Sequence, residues 1–315
     1  MITVILATYN GEKYIRDQLD SLFKGTYKDF RIFAQDDGSL DATVSILKEY
    51  GERYDGQVFV HENEINRRSA GNFYTGLIRA NEELPGETDY FMFCDQDDVW
   101  DPEKMEKTLS KIHKMEIEYG KDTPLLVFTD SRLTDTKGNV TAPSFQTLSH
   151  FNSKALDLPH LLMENKAPGC TMMINMPLFE VIRNGKSSDF VPSSMRMHDW
   201  WFMIAAAAFG HIGFLNEATM SYRQHGGNVV GGEDFKAYVK EKAVNKSGAK
   251  ESLRLCIEQG KEFYETYKGK SRYDDVLSAF AGLSADGFFE KRAKLLKYGF
   301  FKSGLLRNVG VFLLI

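Results

Sequence analysis

A turn rich in carboxylates follows a short apolar run near position 95. Asp95-Gln96-Asp97-Asp98 comes directly after Tyr90–Cys94, which is apolar enough to form a strand buried on both faces. Carboxylates just beyond such a strand can reach a ligand in the crevice at the sheet edge. Their oxygen atoms suit hard divalent cations such as Mg²⁺ and Mn²⁺. The turn is therefore a candidate metal site, and an acidic surface turn is its simpler interpretation.

Two other kinds of acidic site use a similar pattern. A calcium loop beginning at Asp95 would have Val99 where an oxygen ligand belongs and Trp100 where the turn glycine belongs, so this interpretation fails. A phosphatase with an aspartyl nucleophile at Asp95 would show the pattern Asp-x-Asp-x-Val, and Asp95–Val99 has that pattern. The turn alone leaves the phosphatase open.

A second candidate for chemistry is Asp199, which precedes the apolar segment Trp200–Phe209. That segment is predicted to be an apolar helix. An aspartate with an ordinary pKa near 3.9 is ionised at neutral pH and can accept a proton. The alternative role is structural, because aspartate is a favoured N-cap residue.

The elements that must position these carboxylates alternate between strand and helix over the first 130 residues. The predicted strands are Ile2–Ala7, Phe30–Ala34, Val58–His61, Tyr90–Cys94 and Leu125–Thr129. The predicted helices carry Ile15 to Phe23, Val44 to Leu47, Gly71 to Leu84, and Pro102 to about Glu118. This alternation predicts an α/β fold built on a mostly parallel sheet.

The second half of the chain is less regular. Lys137–Ser153 is polar and is predicted to be a loop near an acceptor, and Pro168–Ile174 is predicted to be a loop followed by a strand. Ile212–Leu215 and Thr219–Tyr222 are predicted to be two short strands. Beyond about residue 232 the composition favours charged helices, and the last thirty residues form a basic amphipathic segment.

Composition excludes several classes of protein. The chain has 315 residues, 43% of them apolar, which is enough for a sizeable core. A net charge of −5 argues against a nucleic-acid binder. Three widely spaced cysteines indicate reduced thiols of a cytoplasmic protein. Neither a signal peptide nor an apolar run long enough to span a membrane is visible in the sequence.

Several motifs in order and spacing resemble the family 2 glycosyltransferases. They are Ala7-Thr8-Tyr9-Asn10, Asp36-Asp37-Gly38-Ser39-Leu40-Asp41 and Asp95-Gln96-Asp97-Asp98-Val99-Trp100, each after a predicted strand. The most similar branch is bacterial, is often described as rhamnosyltransferases, and shares His198-Asp199-Trp200-Trp201 and Tyr222-Arg223-Gln224-His225-Gly226. The resemblance covers about residues 1–232.

The resemblance implies a GT-A fold, a Rossmann-like mixed sheet flanked by helices that binds nucleotide-diphospho-sugars. Residues 1–232 would form this domain, and residues 233–315 a helical C-terminal extension. The implied reaction is inverting, metal-dependent transfer of a sugar from a UDP- or dTDP-sugar to a hydroxyl group of a glycan acceptor. The acceptor would belong to cell-surface polysaccharide or glycoprotein glycan assembly.

The resemblance also implies roles for individual residues. Thr8, Tyr9, Asp37, Asp95 and Arg68 would bind the donor nucleotide, with Asp37 on the uracil or thymine ring and Asp95 on the ribose.

At the other end of the donor, Asp97 and His225 would hold Mn²⁺ or Mg²⁺, and Asp199 would be the catalytic base. Gly169, His198, Trp200 and Trp201 would lie on the sugar or acceptor side.

Two alternative functions and one further binding partner are also considered. The phosphatase would leave Asp37 and Asp199 unexplained, and a non-catalytic glycan-binding protein would not need intact Asp97 and His225. The basic C-terminal segment is predicted to contact an anionic membrane surface, another subunit or the domain itself. The expected location is the cytoplasm, at the inner face of the membrane if lipid is bound.

Overall fold

Strands and helices alternate in the first part of the chain, as its apolar pattern predicts. The computed structural model describes residues 1–84, 86–226 and 246–315. Its first elements are β1 (Ile2–Thr8), α1 (Ile15–Phe23), β2 (Phe30–Asp36), α2 (Thr43–Arg53), β3 (Val58–Glu62), α3 (Arg68–Glu83) and β4 (Tyr90–Asp95). The predicted strands and helices are thus confirmed to within a few residues.

The chain continues with elements that complete the sheet. These are β5 (Val99–Trp100), α4 (Lys104–Tyr119), β6 (Leu125–Thr134), β7 (Val140–Ala142), α5 (Phe145–Leu148), α6 (Leu158–Met163), β8 (Met172–Asn175), α7 (Met176–Arg183), α8 (His198–Phe209) and β9 (His211–Arg223). The C-terminal helices are α9 (Lys246–Tyr267), α10 (Asp274–Ala281), α11 (Phe288–Tyr298) and α12 (Leu305–Leu314).

Strand direction determines which chain segments meet at one edge of the sheet. The strand order is β3-β2-β1-β4-β8-β6-β9-β5, with β7 paired to β6. Strands β1 to β4 are mutually parallel, and β8 runs antiparallel to both β4 and β6. Because β9 is parallel to β6, the carboxyl ends of β1, β2, β4, β6 and β9 all lie at the same edge. Ligands of open α/β sheets bind at this edge.

The core has two parts, one on each face of the sheet. In β1, Ile5 packs with α3, α7 and α8, whereas Val4 and Leu6 pack with α1, α2 and α4. This alternation follows from the two-residue period of a strand. Helix α8 is apolar on nearly all sides and is buried between the sheet and the C-terminal helices, where Trp201 contacts Phe263.

Three local predictions are wrong. The segment 137–153 contains β7 and α5, and α5 forms because the Ser144 side chain caps it. The two strands predicted between residues 212 and 222 are one strand, β9, whose register against β6 shifts beside Asp130. The polar residues that suggest a turn therefore lie on an irregular strand. Finally, Met197 rather than Asp199 is the N-cap position of α8.

The predicted division of the chain at residues 232 and 233 lies outside the described residues. Of the C-terminal extension, α9 packs against α6 and α10, and it adds Leu253 and Phe263 to the core beside α8. Across the described ranges, no helix is both long and apolar enough to cross a membrane.

Candidate active site

A cavity of about 760 Å³ opens at the carboxyl edge of the sheet. It is lined by the ends of β1 and β4, the start of α3, the start of α8, and the loop before β8. Ten of the predicted site residues line it: Thr8, Tyr9, Asp37, Arg68, Asp95, Asp97, Gly169, His198, Asp199 and Trp200. The fold therefore brings together residues that are up to 192 positions apart in the sequence, Thr8 and Trp200.

The acidic turn after β4 is held against the loop after β1 by the side chain of Gln96. Its Oε1 accepts a hydrogen bond from the Tyr9 N–H at 2.8 Å, and its Nε2 donates to the Tyr9 carbonyl at 3.0 Å. The amide thereby replaces a neighbouring strand in pairing with the Tyr9 backbone. Gly11 leaves room for this contact, because a Cβ there would lie 2.2 Å from Gln96 Oε1.

Asp97 lines the cavity and meets His225, which does not line it. The Asp97 Oδ2 and His225 Nε2 atoms are 2.6 Å apart, and the His225 ring stacks on Tyr14 with 5.2 Å between centroids. Both side chains retain some exposure, 14% and 19% respectively, so a ligand can reach them. One carboxylate oxygen and one imidazole nitrogen are donors that Mn²⁺ accepts. The pair therefore fits the predicted metal ligands.

The end of β9 is fixed to the acidic turn by Arg223. The Arg223 N–H donates to Asp98 Oδ1 at 3.1 Å, and Nε donates to the Asp97 carbonyl at 2.9 Å. Its Nη2 donates to Asp17 at 3.1 Å, and its guanidinium lies over the Tyr14 ring. These contacts determine where His225, two residues later, is placed.

The surroundings of the acidic turn disfavour the ionised form of its carboxyl groups. Burial, and then the charge of Asp97, raises the pKa of Asp95 to about 7, with a further contribution from Asp199. Burial likewise raises the pKa of Asp98. A divalent cation nearby would reverse this effect by favouring the ionised carboxylates.

Another trio near the turn is a weaker candidate for metal binding. Ligand atoms of Asp95, Asp98 and Cys170 all lie within 4.8 Å of one another. However, the sulfur of Cys170 is a soft ligand, whereas Mg²⁺ and Mn²⁺ prefer oxygen and tolerate an imidazole nitrogen. Asp97 and His225 therefore fit such a cation better.

At the other side of the cavity mouth are residues predicted to bind the nucleotide. The Thr8 hydroxyl is buried and donates to Asp36 at 2.7 Å, whereas Tyr9 is 49% exposed. The Asp37 Oδ1 atom accepts hydrogen bonds from Asn63 and from the Arg67 N–H. Thr8 thus positions the loop, while Tyr9 and Asp37 form the surface that a base could contact.

Arg68 begins α3 with an unusual backbone conformation. Its φ is +58°, in the left-handed region that residues other than glycine adopt only at some cost. Its N–H donates to the Asn66 side chain at 3.1 Å, and its exposed side chain lines the cavity.

Asp199 lies in the first turn of α8 with both oxygens oriented by backbone donors. Oδ2 accepts from the Gly169 N–H at 3.0 Å and Oδ1 from the Trp200 N–H at 2.6 Å. Asp199 is only 5% exposed. Burial outweighs these hydrogen bonds and raises the pKa of Asp199 to about 6. The expectation of an ordinary pKa was therefore wrong.

His198 is a neutral, buried imidazole against the loop before β8. Its ring stacks on Phe73 with 4.1 Å between centroids, and burial lowers its pKa to about 3. A Cβ at Gly169 would lie 2.3 Å from His198 Nε2, so only glycine fits the observed packing. Among the described residues, neither ring nitrogen has a hydrogen-bond partner.

The two tryptophans predicted on the acceptor side lie in different surroundings. Trp200 is 7% exposed, lines the cavity and donates from Nε1 to the Leu161 carbonyl. Trp201 is fully buried against Phe263 and Tyr267 and does not reach the cavity. Successive residues of a helix point about 100° apart, so only one of the pair can face the cavity.

Sequence reasoning missed several residues that shape the site. Gln96 and Arg223 lie inside motifs shared with the family, so the motif match included both residues but assigned a role to neither. Arg196 and Lys166 also line the cavity, but neither belongs to a motif.

Comparisons with known proteins find similarity to glycosyltransferases. Residues 3–155 match the model of glycosyl transferase family 2. A dTDP-rhamnosyl transferase of Shigella flexneri, RfbG, is 27% identical over 80% of this chain and 83% of its own length. An uncharacterised glycosyltransferase of Rickettsia typhi is 27% identical over 67% of this chain, and the match spans 61% of that relative.

Solved structures share the fold at low sequence identity. Staphylococcus aureus TarS 1-349 in complex with UDP-GlcNAc aligns over 93% of this chain and 83% of its own, with a TM-score of 0.54 at 18% identity. A mannosyltransferase of Pyrobaculum calidifontis, in complex with GDP-Man and Mn²⁺, covers 99% of this chain and 78% of its own, with a TM-score of 0.53 at 14% identity. The predicted GT-A fold is confirmed, and neither the phosphatase nor the glycan-binding alternative gains support.

The Gln96 contact generates a first prediction. Gln96→Leu removes both hydrogen bonds to the Tyr9 backbone, so we expect the free energy of unfolding in urea to fall by about 1–2 kcal/mol. Amide hydrogen exchange at Tyr9 should become faster. The matched control is Gln57→Leu, because the Gln57 side chain makes one 3.4 Å contact with the Phe30 carbonyl. Equal effects of the two substitutions would show that Gln96 does not hold the turn.

Proposed function

The chain is a glycosyltransferase with a family 2 domain, and we propose that it transfers a sugar, with inversion, from a UDP- or dTDP-sugar to a hydroxyl group of a glycan. The observation that carries the proposal is the placement of Asp97 with His225 and of Asp199 around one cavity. This arrangement offers a site for a diphosphate and a proton acceptor at once. The acceptor glycan would belong to cell-surface polysaccharide or glycoprotein glycan assembly.

Donor binding uses the ends of β1, β2 and β4. Asp37 accepts a hydrogen bond from the ring N–H that uracil and thymine share, which is why UDP and dTDP both fit. Asp95 accepts from the ribose hydroxyl groups, Thr8 and Tyr9 form the wall of the base pocket, and Arg68 reaches towards phosphate. The Shigella relative is named for a dTDP-sugar and the Staphylococcus structure contains UDP-GlcNAc, which supports both nucleotides.

Asp97 and His225 would hold Mn²⁺ or Mg²⁺. When bound, such a cation neutralises the charge that develops on the departing diphosphate. The Asp97 carboxylate and the His225 imidazole are prealigned for this by Arg223 and Tyr14. The Pyrobaculum structure, of the same fold, contains Mn²⁺.

Asp199 supplies the base for a single displacement. The acceptor oxygen forms a bond to the anomeric carbon from the face opposite the diphosphate, and the bond from that carbon to the phosphate oxygen breaks. The proton of the acceptor hydroxyl passes to an Asp199 oxygen. The Gly169 and Trp200 N–H groups keep the carboxylate aimed during this transfer. Gly169, His198 and Trp200 form the wall beside the sugar, where Trp200 offers a ring face.

Replacing the base tests this mechanism. Asp199→Asn keeps the size and one of the two acceptor oxygens of the side chain but removes the base, so we expect turnover to fall roughly 10²–10⁴-fold. Donor binding, measured by calorimetry, should stay unchanged. In wild type, turnover should fall about tenfold per pH unit below about 6, because the raised pKa of Asp199 means that its carboxylate is protonated there.

The control for this variant is Asp189→Asn, because Asp189 is a carboxylate near α8 whose side chain is 86% exposed. It should retain wild-type turnover. Near-normal transfer by Asp199→Asn would remove Asp199 from the mechanism. The same conclusion would follow if the residual turnover of Asp199→Asn still fell below pH 6 as the wild-type turnover does.

The C-terminal segment supports a location at an anionic membrane surface. Leu295, Phe300 and Val311 pack into the core, so part of the segment folds back on the domain. Other apolar side chains of α11 and α12 are exposed: Phe288, Phe289, Leu296, Leu305, Leu306 and Leu313. Lysine and arginine residues are interspersed with them along the chain, among them Lys291, Arg292, Lys297 and Arg307. An exposed apolar face with a basic border suits anionic lipid.

Flotation with phosphatidylglycerol vesicles tests this location. The double variant F289S/L306S removes apolar area that is 83% and 86% exposed, so it should float less than wild type without loss of folding. The matched control is Ile117→Ser, a residue of α4 that is 87% exposed. Equal flotation of all three proteins would contradict lipid binding, and a fall in molecular mass of the double variant would identify a subunit interface instead.

A further inference from the structure

The end of the cavity beyond Asp199 is rich in positive charge. Lys166, Arg196, Glu164 and Ser303 line this end. Arg307, from α12, forms an ion pair with Glu164, and Lys302 immediately precedes Ser303 in the segment that joins α11 to α12. Two cations, Lys166 and Arg307, therefore pair with the one carboxylate, and Arg196 and Lys302 add further positive charge.

The carboxylate, Glu164, is already paired. Its Oε2 accepts from Lys166 Nζ at 2.6 Å and from the Ser303 N–H at 3.0 Å, and Arg307 forms an ion pair with its Oε1. Although burial opposes ionisation, Arg307 and Lys166 lower the pKa of Glu164 to about 2. Glu164 thus contributes one negative charge, which holds the C-terminal segment to the cavity wall.

Arg196 takes no part in the ion pairs of Glu164, so holding the C-terminal segment does not explain its presence in the cavity wall. Its guanidinium lies over the Trp200 ring at 5.1 Å, and its Nη1 donates to Ser252 and to Cys256 Sγ. These hydrogen-bond partners are neutral, and Glu251, a carboxylate of the same helix whose pKa Arg196 helps to lower, pairs with Arg254. Among the ion pairs of the described ranges, none includes Arg196.

Lys302 adds to the excess of positive charge. Burial lowers the pKa of Lys302, with Arg307 and Arg196 acting in the same direction. A nearby anion would stabilise its charged form. Partly buried cations are costly without a negative partner, and this end of the cavity has more positive than negative charge.

From this geometry we propose that the acceptor carries an anionic group, a phosphate or a carboxylate, which binds Arg196, beside the already paired Lys166, while its hydroxyl faces Asp199. The inference rests on the proposed transferase function and names the class of acceptor. A guanidinium matches the paired oxygens of both anions. Trp200 contacts both Asp199 and Arg196, and a sugar ring of the acceptor would pack against it.

Calorimetry with small anionic sugars tests the proposal. The protein is first saturated with UDP or dTDP and Mn²⁺, so that the probe cannot occupy the diphosphate site. Glucose 1-phosphate, glucuronate and the neutral methyl glucoside are then titrated separately. At least one anionic sugar should bind more tightly than the neutral one, and whichever binds identifies phosphate or carboxylate as the recognised group.

Variants connect this preference to Arg196. Arg196→Gln should weaken binding of the anionic sugar about tenfold or more and leave the neutral sugar unchanged, since a charged hydrogen-bond partner is lost. Arg196→Lys should recover part of the affinity. The matched control is Lys261→Gln, because Lys261 is an exposed cation of α9, the helix that Arg196 contacts. This control should behave as wild type.

A salt titration keeps the test valid if Arg196→Gln does not fold. In wild type, raising KCl from about 50 to about 500 mM should weaken binding of the anionic sugar and not of the neutral one. Equal affinity for charged and neutral sugars, or equal effects of Arg196→Gln and Lys261→Gln, would overturn the inference. Failure of UDP and dTDP to bind in the first step would instead overturn the proposed function.

Discussion

The site depends on the contact between Arg223 and the acidic turn after β4. Arg223 is 7% exposed, and its side chain and backbone together bind Asp97, Asp98 and Asp17. This contact joins two parts of the chain that are more than 120 positions apart, and it is possible only because β9 and β4 end at the same edge of the sheet. The Asp97–His225 pair is a consequence of it.

The second constraint is the burial of negative charge. Asp95, Asp98 and Asp199 are all held in surroundings that raise their pKa values. Buried carboxylates are unfavourable unless they are paired, and a folded protein retains them where they serve a function. Near Asp95 and Asp97 a divalent cation would balance the charge. At Asp199 the same physics produces a carboxylate that is ionised at neutral pH yet basic enough to accept a proton.

Much of the fold could be predicted from the sequence, because buried parallel strands are continuous apolar runs, and Ile2–Thr8 and Tyr90–Asp95 are such runs. The motif residues at strand ends were also predictable, since topology brings those ends together. Features that depend on tertiary contacts could not be predicted from the sequence. The polar residues of β9 suggest a turn, and burial of Trp201 depends on helices far along the chain. The raised pKa of Asp199 reflects burial that no local pattern reports.

If Asp97 and His225 bind a diphosphate through a divalent cation, calorimetric titration with UDP and with dTDP will detect it. Each nucleotide is titrated into the full chain with Mn²⁺ and with EDTA in its place. We expect at least one nucleotide to bind in the presence of Mn²⁺ and chelation to weaken this binding about tenfold or more. Binding that is indifferent to Mn²⁺, or no binding of either nucleotide, would contradict it.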